Sequence, residues 1–443
     1  MSTAPAKRYR LEPGGSVSGA VRMPGDKSIS HRALMLSGIA EGTSEIRGFL
    51  PSEDCLATLA ALRALGVPIE RPEPERVLVH GVGALGLTAA SGPLDMGNAG
   101  TAMRLFMGLL AGQPFDSTLI GDASLMRRPM ERVAAPLRLM GARIRTHAGR
   151  PPVEIAGGSR LTAIDYELPV ASAQVKSAIL LAALGASGRT RITEPAAARD
   201  HTERMLEQFG AELVSSGPTV AIEGGQALRA TGVQVPGDFS SAAFFLVAGC
   251  LAAAGPLTLQ GVGVNPTRTG LLDLLREMGA DIRLHRPPGA STDLRSEPFA
   301  DIEVRASRLR GIKVPGSVVP LAIDEFPVFF IAAACAEGDT LVRGALELRV
   351  KESDRLAVMA EGLGRLGVEH DLLEDGLWIR GRGGFEGGSV DSHGDHRIAM
   401  AFAVASLKAS APIEILDVAN VATSFPGFLE VARAAGLRIE QLP

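Results

Sequence analysis

Two sequence patterns alternate six times along the 443 residues, and that alternation leaves few folds open. The first is a short strand, a Gly/Pro/Ser turn, an Ala-rich helix, a Gly-containing turn and a second strand. Its copies begin at Val21, Leu94, Leu168, Val233, Ile312 and Val390, at spacings of about 65 to 80 residues. The second is an amphipathic helix stopped by glycine and followed by a strand, as in LAALRALGVPIE and LLDLLREMGADIRL. The stopping glycines are Gly66, Gly141, Gly210, Gly279, Gly367 and Gly436. Glycine just past a helix takes the left-handed backbone that ends it, at little steric cost. The chain therefore reads as six copies of one βαβ-type unit of roughly 70 residues, of the α/β (α+β) class.

PGD-x-S occurs at 24–28 and again at 236–240, three units apart. That repetition divides the chain into two lobes of three units, changing over near each PGD. Helices apolar on most faces, such as AILLAALG and AAFFLVAG, should lie inside each lobe, with the amphipathic helices outside.

Composition narrows the function classes. Lys and Arg number 45 against 49 Asp and Glu, a net charge of −4, which argues against a broad nucleic-acid-binding face. Aromatics are 4%, too few for base-stacking platforms. Cys55, Cys250 and Cys335 are far apart and sit in apolar stretches, so buried thiols are expected rather than a disulfide framework or zinc site. The N-terminus lacks a signal-peptide apolar region, and the longest apolar runs, such as 242–255, are too short to span a bilayer. A cytoplasmic chain without membrane partners is expected.

Chemistry should collect where the Ala-rich helices begin, because a helix N-terminus presents free N–H groups and partial positive charge to anions. PGDKSISHR places Lys27, Ser28 and Arg32 at the first start, and lysine is scarce in this chain, with six in all. GNAGTAMR supplies a Gly-rich turn with Asn98, Gly100 and Arg104, followed by Arg127 and Arg128 in RRPM. ASAQVK supplies Ser172, Gln174 and Lys176. In AIDEFPVFF, Asp324 and Glu325 stand against an apolar run, where a carboxylate needs a partner or a task. RVKESDRL holds Arg349, Lys351, Glu352, Asp354 and Arg355; read as a helix, it puts Lys351 and Arg355 on one face, repelling unless an anion lies between them. GDHRIAM adds Asp395, His396 and Arg397; His393 and His396 have no matching cluster to make a metal site.

In this order, and joined by NPTRTG and TSFPGF, these motifs resemble the EPSP synthase family of enolpyruvyl transferases, in its bacterial second class. RVKESDRL with PGDKSISHR is the most specific part. The resemblance implies the enolpyruvyl transferase fold, two lobes each of three βαβαββ units. It assigns residues 26–237 to one lobe, 1–25 with 238–443 to the other, and the active site to the cleft between them. It implies transfer of the enolpyruvyl group of phosphoenolpyruvate to the 5-hydroxyl of shikimate 3-phosphate, with no metal or organic cofactor, by a monomer.

Position by position, the resemblance assigns Lys27, Ser28, Arg32, Ser172, Ala173, Gln174, Arg199, Asp324 and Lys351 to shikimate 3-phosphate. Lys27, Gly100, Arg128, Gln174, Arg355 and Arg397 fall to phosphoenolpyruvate. Asp324 is the implied proton acceptor facing the 5-hydroxyl, Glu352 the group shuttling the C3 proton, and Lys27 a third catalytic residue; Asn98, Arg104 and His396 support them. Three positions depart from common family patterns: Ala173 replaces a serine, Glu347 an asparagine, and Thr423 a lysine used on phosphoenolpyruvate. A sibling transferase acting on UDP-N-acetylglucosamine shares the fold but uses a reactive cysteine in a mobile loop, unlike the cysteines here. A non-catalytic anion-binding scaffold is the alternative of another kind, and retention of both Asp324 and Glu352 argues against it.

Overall fold

Six helices that are buried almost throughout carry the Ala-rich segments: Lys27–Ile39, Gly100–Leu110, Ala173–Ala183, Phe239–Ala252, Phe326–Cys335 and His396–Ala405. The computed structural model describes residues 7–286 and 296–443. A second set, Glu53–Ala64, Glu131–Leu139, His201–Gln208, Gly270–Glu277, Arg355–Arg365 and Phe428–Ala435, keeps one face exposed, as its amphipathic patterning requires. The glycine that follows each of these lies in the left-handed region, from φ 80° at Gly367 to φ 115° at Gly436. A side chain at those positions would strain the turn that sends the chain back into its sheet.

There are six sheets among the described residues, one per repeat. In a typical one the spatial order is Leu94–Asp95, Ser117–Ile120, Arg150–Ala156, Arg143–His147. The first two strands are parallel, joined across the Gly100–Leu110 helix, and the rest antiparallel, with Leu119 opposite Val153 and Ile144 opposite Ile155. Asp165–Glu167, Arg189–Thr193, Thr219–Glu223 and Leu213–Ser216 repeat the pattern.

Contacts group the chain into two compact units. One is Gly25–Val235, to which Glu297 also belongs; its own late strands Leu228–Arg229 and Val233–Gln234 run parallel to Ala40–Arg47 and complete that sheet. The other comprises, among the described residues, 7–24, 236–286 and 298–443. There the N-terminal segment supplies Val17–Arg22, parallel to Ala253–Gly263, and Arg8–Leu11, antiparallel to Ile413–Leu416 and Ile439–Leu442. One repeat keeps its first strand only as two parallel bridges, Arg310 with Glu337 and Lys313 with Leu341.

Each unit has its own hydrophobic core around its three inner helices, mostly aliphatic in one and interleaved with phenylalanines such as Phe326, Phe329 and Phe330 in the other. Two glycines set how closely the site-bearing helices pack. A Cβ on Gly108 would lie 2.1 Å from the Ala178 carbonyl oxygen, so the Gly100–Leu110 and Ala173–Ala183 helices meet there with no side chain between them. A Cβ on Gly362 would strike the Phe402 ring at 2.2 Å, which brings Arg355–Arg365 against His396–Ala405. Among the described residues no single helix is long and apolar enough to cross a membrane, although the bent pair Gly316–Ala322 and Phe326–Cys335 passes by length and composition.

Candidate active site

In the Gly25–Val235 unit, three inner helices present their N-termini with the predicted polar residues. Asp26 caps the first, accepting from Ile29 N at 2.8 Å, which places Lys27 and Ser28 in its opening turn. Lys27 Nζ lies 2.9 Å from Asp54 Oδ2. Arg32, 4% exposed, donates from Nε to Thr202 Oγ1 (2.7 Å), from Nη2 to Ser177 Oγ (2.9 Å) and from Nη1 to the Ser28 carbonyl (2.9 Å). Burial lowers the Arg32 pKa to about 10, so the guanidinium stays charged at neutral pH; the nearby charges of Glu203 and Arg199 act on it in opposite senses.

Ser172 caps the third inner helix, so Ala173 and Gln174 open it. The Gln174 amide is tied at both ends to the second: Oε1 accepts from Arg104 Nη1 at 2.5 Å, and Nε2 donates to Thr101 Oγ1 at 2.9 Å. The turn before Gly100 holds Asn98, which accepts from Arg128 Nη2 (2.5 Å) and donates to Asp122 Oδ2 (2.7 Å). Arg128 is buried while Arg127 is exposed, so the tandem arginines have different surroundings. A Cβ on Gly100 would lie 2.9 Å from Arg128 Nη1, which explains a glycine at this helix start. Lys176, also predicted as a polar helix-start residue, is turned inward: Nζ lies 2.6 Å from both Glu194 and Glu203, and their charges outweigh burial and raise its pKa.

The other unit gathers the acids. Asp324 Oδ1 stands 3.3 Å from Arg355 Nη1 and 3.7 Å from Lys351 Nζ. Lys351 and Arg355 do not share a helix, contrary to the expectation from spacing. The 346–350 segment is a single tight turn, Lys351 to Asp354 are non-helical, and the helix begins at Arg355 because Asp354 caps it, accepting from Ala357 N at 3.1 Å. The anion that their like charges require is Asp324. Burial lowers the Lys351 pKa, partly offset by Asp324 and Glu347.

Arg355 is 1% exposed and meets three carboxylates: Asp324, Glu352 at 2.5 Å and Asp395 at 2.8 Å. Burial opposes its charge, but Asp395, Glu352 and Asp324 overcome this and hold the guanidinium protonated. Asp395 caps the last inner helix through Arg397 N (2.9 Å), placing His396 and Arg397 in its first turn. Arg397 Nη1 donates to the Asp324 carbonyl at 3.1 Å, and His396 Nε2 is 3.0 Å from Ser424 Oγ. Thr423, at the departed lysine position, is buried and gives its hydroxyl to the Asn420 carbonyl.

Within each unit, then, the predicted residues are brought together from distant segments, up to 170 positions apart in the first unit and 73 in the second. The family described as EPSP synthase (3-phosphoshikimate 1-carboxyvinyltransferase) matches residues 11–432. The chain belongs to the EPSP synthase family. It is 58% identical over 433 residues to a 3-phosphoshikimate 1-carboxyvinyltransferase of Methylococcus capsulatus, covering 98% of both chains. It is 59% identical over 436 residues to that of Halorhodospira halophila, covering 98% of this chain and 97% of the relative. Among solved structures, EPSP synthase from Acinetobacter baumannii superposes with a TM-score of 0.87 at 51% identity, covering 99% of this chain and 100% of that one. The enolpyruvyl transferase fold expected from the motifs is the fold of these EPSP synthase structures.

Several residues that hold the family's motif side chains in place carry little signal in the sequence. Asp54, 27 positions from Lys27, reads as an ordinary acid in a helix's first turn. Ser177 and Thr202, which orient Arg32, carry one signal only: hydroxyls in otherwise well-buried positions. The three thiols are raised by burial, Cys250 and Cys335 to about 12, which leaves none poised as a nucleophile.

Proposed function

We propose that the two groups of side chains described above act on one pair of substrates, phosphoenolpyruvate and shikimate 3-phosphate. The reaction is that of the family: the enolpyruvyl group passes to the 5-hydroxyl and inorganic phosphate leaves. The hydroxyl oxygen bonds to C2 of phosphoenolpyruvate as its proton departs and C3 gains a proton, giving a tetrahedral intermediate. Loss of a C3 proton and cleavage of the C2–O bond to phosphate restore the double bond.

Two phosphates and two carboxylates must be held. Lys27, Ser28, Arg32, Ser172, Ala173, Gln174, Arg199 and Lys351 serve shikimate 3-phosphate; Lys27, Gly100, Arg128, Gln174, Arg355 and Arg397 serve phosphoenolpyruvate, where arginine's planar fork suits bidentate contacts. Asp324 takes the hydroxyl proton and Glu352 moves the C3 proton. The observation that carries this reading is the Asp324 carboxylate flanked by Lys351 and Arg355, with Glu352 on the same guanidinium. An acid pair there would obstruct simple anion binding but is what proton movement in both directions needs. The reading also places the chain in the cytoplasm, where its three free thiols stay reduced, and as a monomer.

The test is phosphate release by the purified protein with phosphoenolpyruvate and a chelator, comparing shikimate 3-phosphate with UDP-N-acetylglucosamine. Turnover with shikimate 3-phosphate alone is expected. Turnover only with the nucleotide sugar, or binding without turnover, would overturn the reading.

A further inference from the structure

Two motifs, PGDFS at 236–240 and NPTRTG at 265–270, supply none of the residues assigned to the substrates. The structure brings both against the second acid of IDEFP. Asp238 caps the Phe239–Ala252 helix, accepting from Ser240 N at 2.7 Å. Arg268, 3% exposed, lies 3.5 Å from Asp238 Oδ1 and donates from Nη2 to Ser240 Oγ at 2.8 Å. Because Ser240 Oγ accepts from Arg268, its single proton is available to Glu325 Oε1, with which it is hydrogen-bonded. The direction of the chain is thus fixed, from Arg268 through Ser240 to Glu325.

Glu325 is 1% exposed, and its Oε2 has no hydrogen-bond partner among the described residues. A buried carboxylate satisfied on one side only is costly unless nearby charge compensates it. A compensating charge is Arg397, whose Nη1 is 3.9 Å from Glu325 Oε1. Among the described residues the Arg397 guanidinium donates one hydrogen bond, to the Asp324 carbonyl, which leaves most of its N–H groups for an anion. Its other acidic neighbour is the Asp324 carboxylate, 3.9 Å from Nη2. Without the Glu325 charge, Asp324 would be the only one of these two carboxylates left to attract Arg397.

We propose that Glu325, anchored by Ser240 and Arg268, is a positioning residue that balances the pull of the Asp324 carboxylate on the Arg397 guanidinium and so keeps it directed toward phosphoenolpyruvate. The inference rests on the assignment of Arg397 to phosphoenolpyruvate. Glu325→Gln keeps the shape and removes the charge. It is expected to raise KM for phosphoenolpyruvate about tenfold, leave KM for shikimate 3-phosphate within about twofold, and lose most of its effect in an Arg397→Lys background, as coupled neighbours do. Unchanged KM values, an equal rise in both, or a full effect in the Arg397→Lys background would overturn it. If Glu325→Gln does not fold, Ser240→Ala carries the test: a rise of about threefold confined to phosphoenolpyruvate supports the proposal, and no change refutes it. Failure of the wild type to turn over the two substrates would instead strike the functional reading beneath.

Discussion

Arg355 Nε and Asp395 Oδ2 are 2.8 Å apart, with side-chain exposures of 1% and 0%. The same carboxylate accepts from Arg397 N and from Ser353 Oγ at 3.0 Å, so one group fixes a guanidinium, a helix start and the loop before Arg355. Removing it leaves Asp324 and Glu352 on Arg355 but takes away the most buried of its three carboxylates and the cap of the last inner helix. Asp395→Ala is expected to cost about 2–4 kcal/mol of stability, from the lost charged hydrogen bonds and the lost cap together. Denaturant unfolding checks this; a midpoint equal to wild type would mean that the pair contributes no net stability.

Asp324 accepts from Arg355 and lies within reach of Lys351, yet its proposed task is proton acceptance. Asp324→Ala should then lower kcat about 10²- to 10⁴-fold, the range of a lost general base. Shikimate 3-phosphate affinity, measured by titration calorimetry, should change far less. Equal losses in kcat and affinity would make Asp324 a binding ligand only.

What could be read from the sequence was local. Each stopping glycine announces its helix end within a few residues, and Lys27 or Asp324 stands out as a polar residue opening an apolar helix. The partners are another matter. Asp54 with Lys27, Asp395 with Arg355, and Ser240 with Glu325 are separated by 27, 40 and 85 positions, and only the packed sheets and helices bring them together. RVKESDRL misled for a physical reason. Its residues suit a helix, but Asp354 is a better cap than an interior residue, and the helix starts after it.

Gly100 tests the Arg128 assignment without touching a charge. An alanine Cβ there would sit 2.9 Å from Arg128 Nη1, the far end of a flexible side chain, so the fold should tolerate it while the guanidinium shifts. Gly100→Ala is expected to raise KM for phosphoenolpyruvate about five- to tenfold with a smaller change in kcat, the signature of lost uniform binding. The melting temperature should stay near wild type. An unaltered KM would remove Arg128 from the phosphoenolpyruvate pocket.

Lys351 supplies a pH signature. Burial disfavours its charged form, Asp324 and Glu347 partly restore it, and the net pKa lies below the ordinary lysine value of 10.5. Its cation is therefore lost at a lower pH than that of a solvated lysine. If the charge holds shikimate 3-phosphate, kcat/KM for that substrate should fall on the alkaline side as Lys351 gives up its proton. Lys351→Arg keeps a cation whose pKa lies above 12, so it should lose that descending limb even where its maximal activity is reduced. The measurement is kcat/KM for shikimate 3-phosphate across the alkaline range for both proteins. The same descending limb in the arginine variant would assign the titration to another group and leave Lys351 outside the binding step.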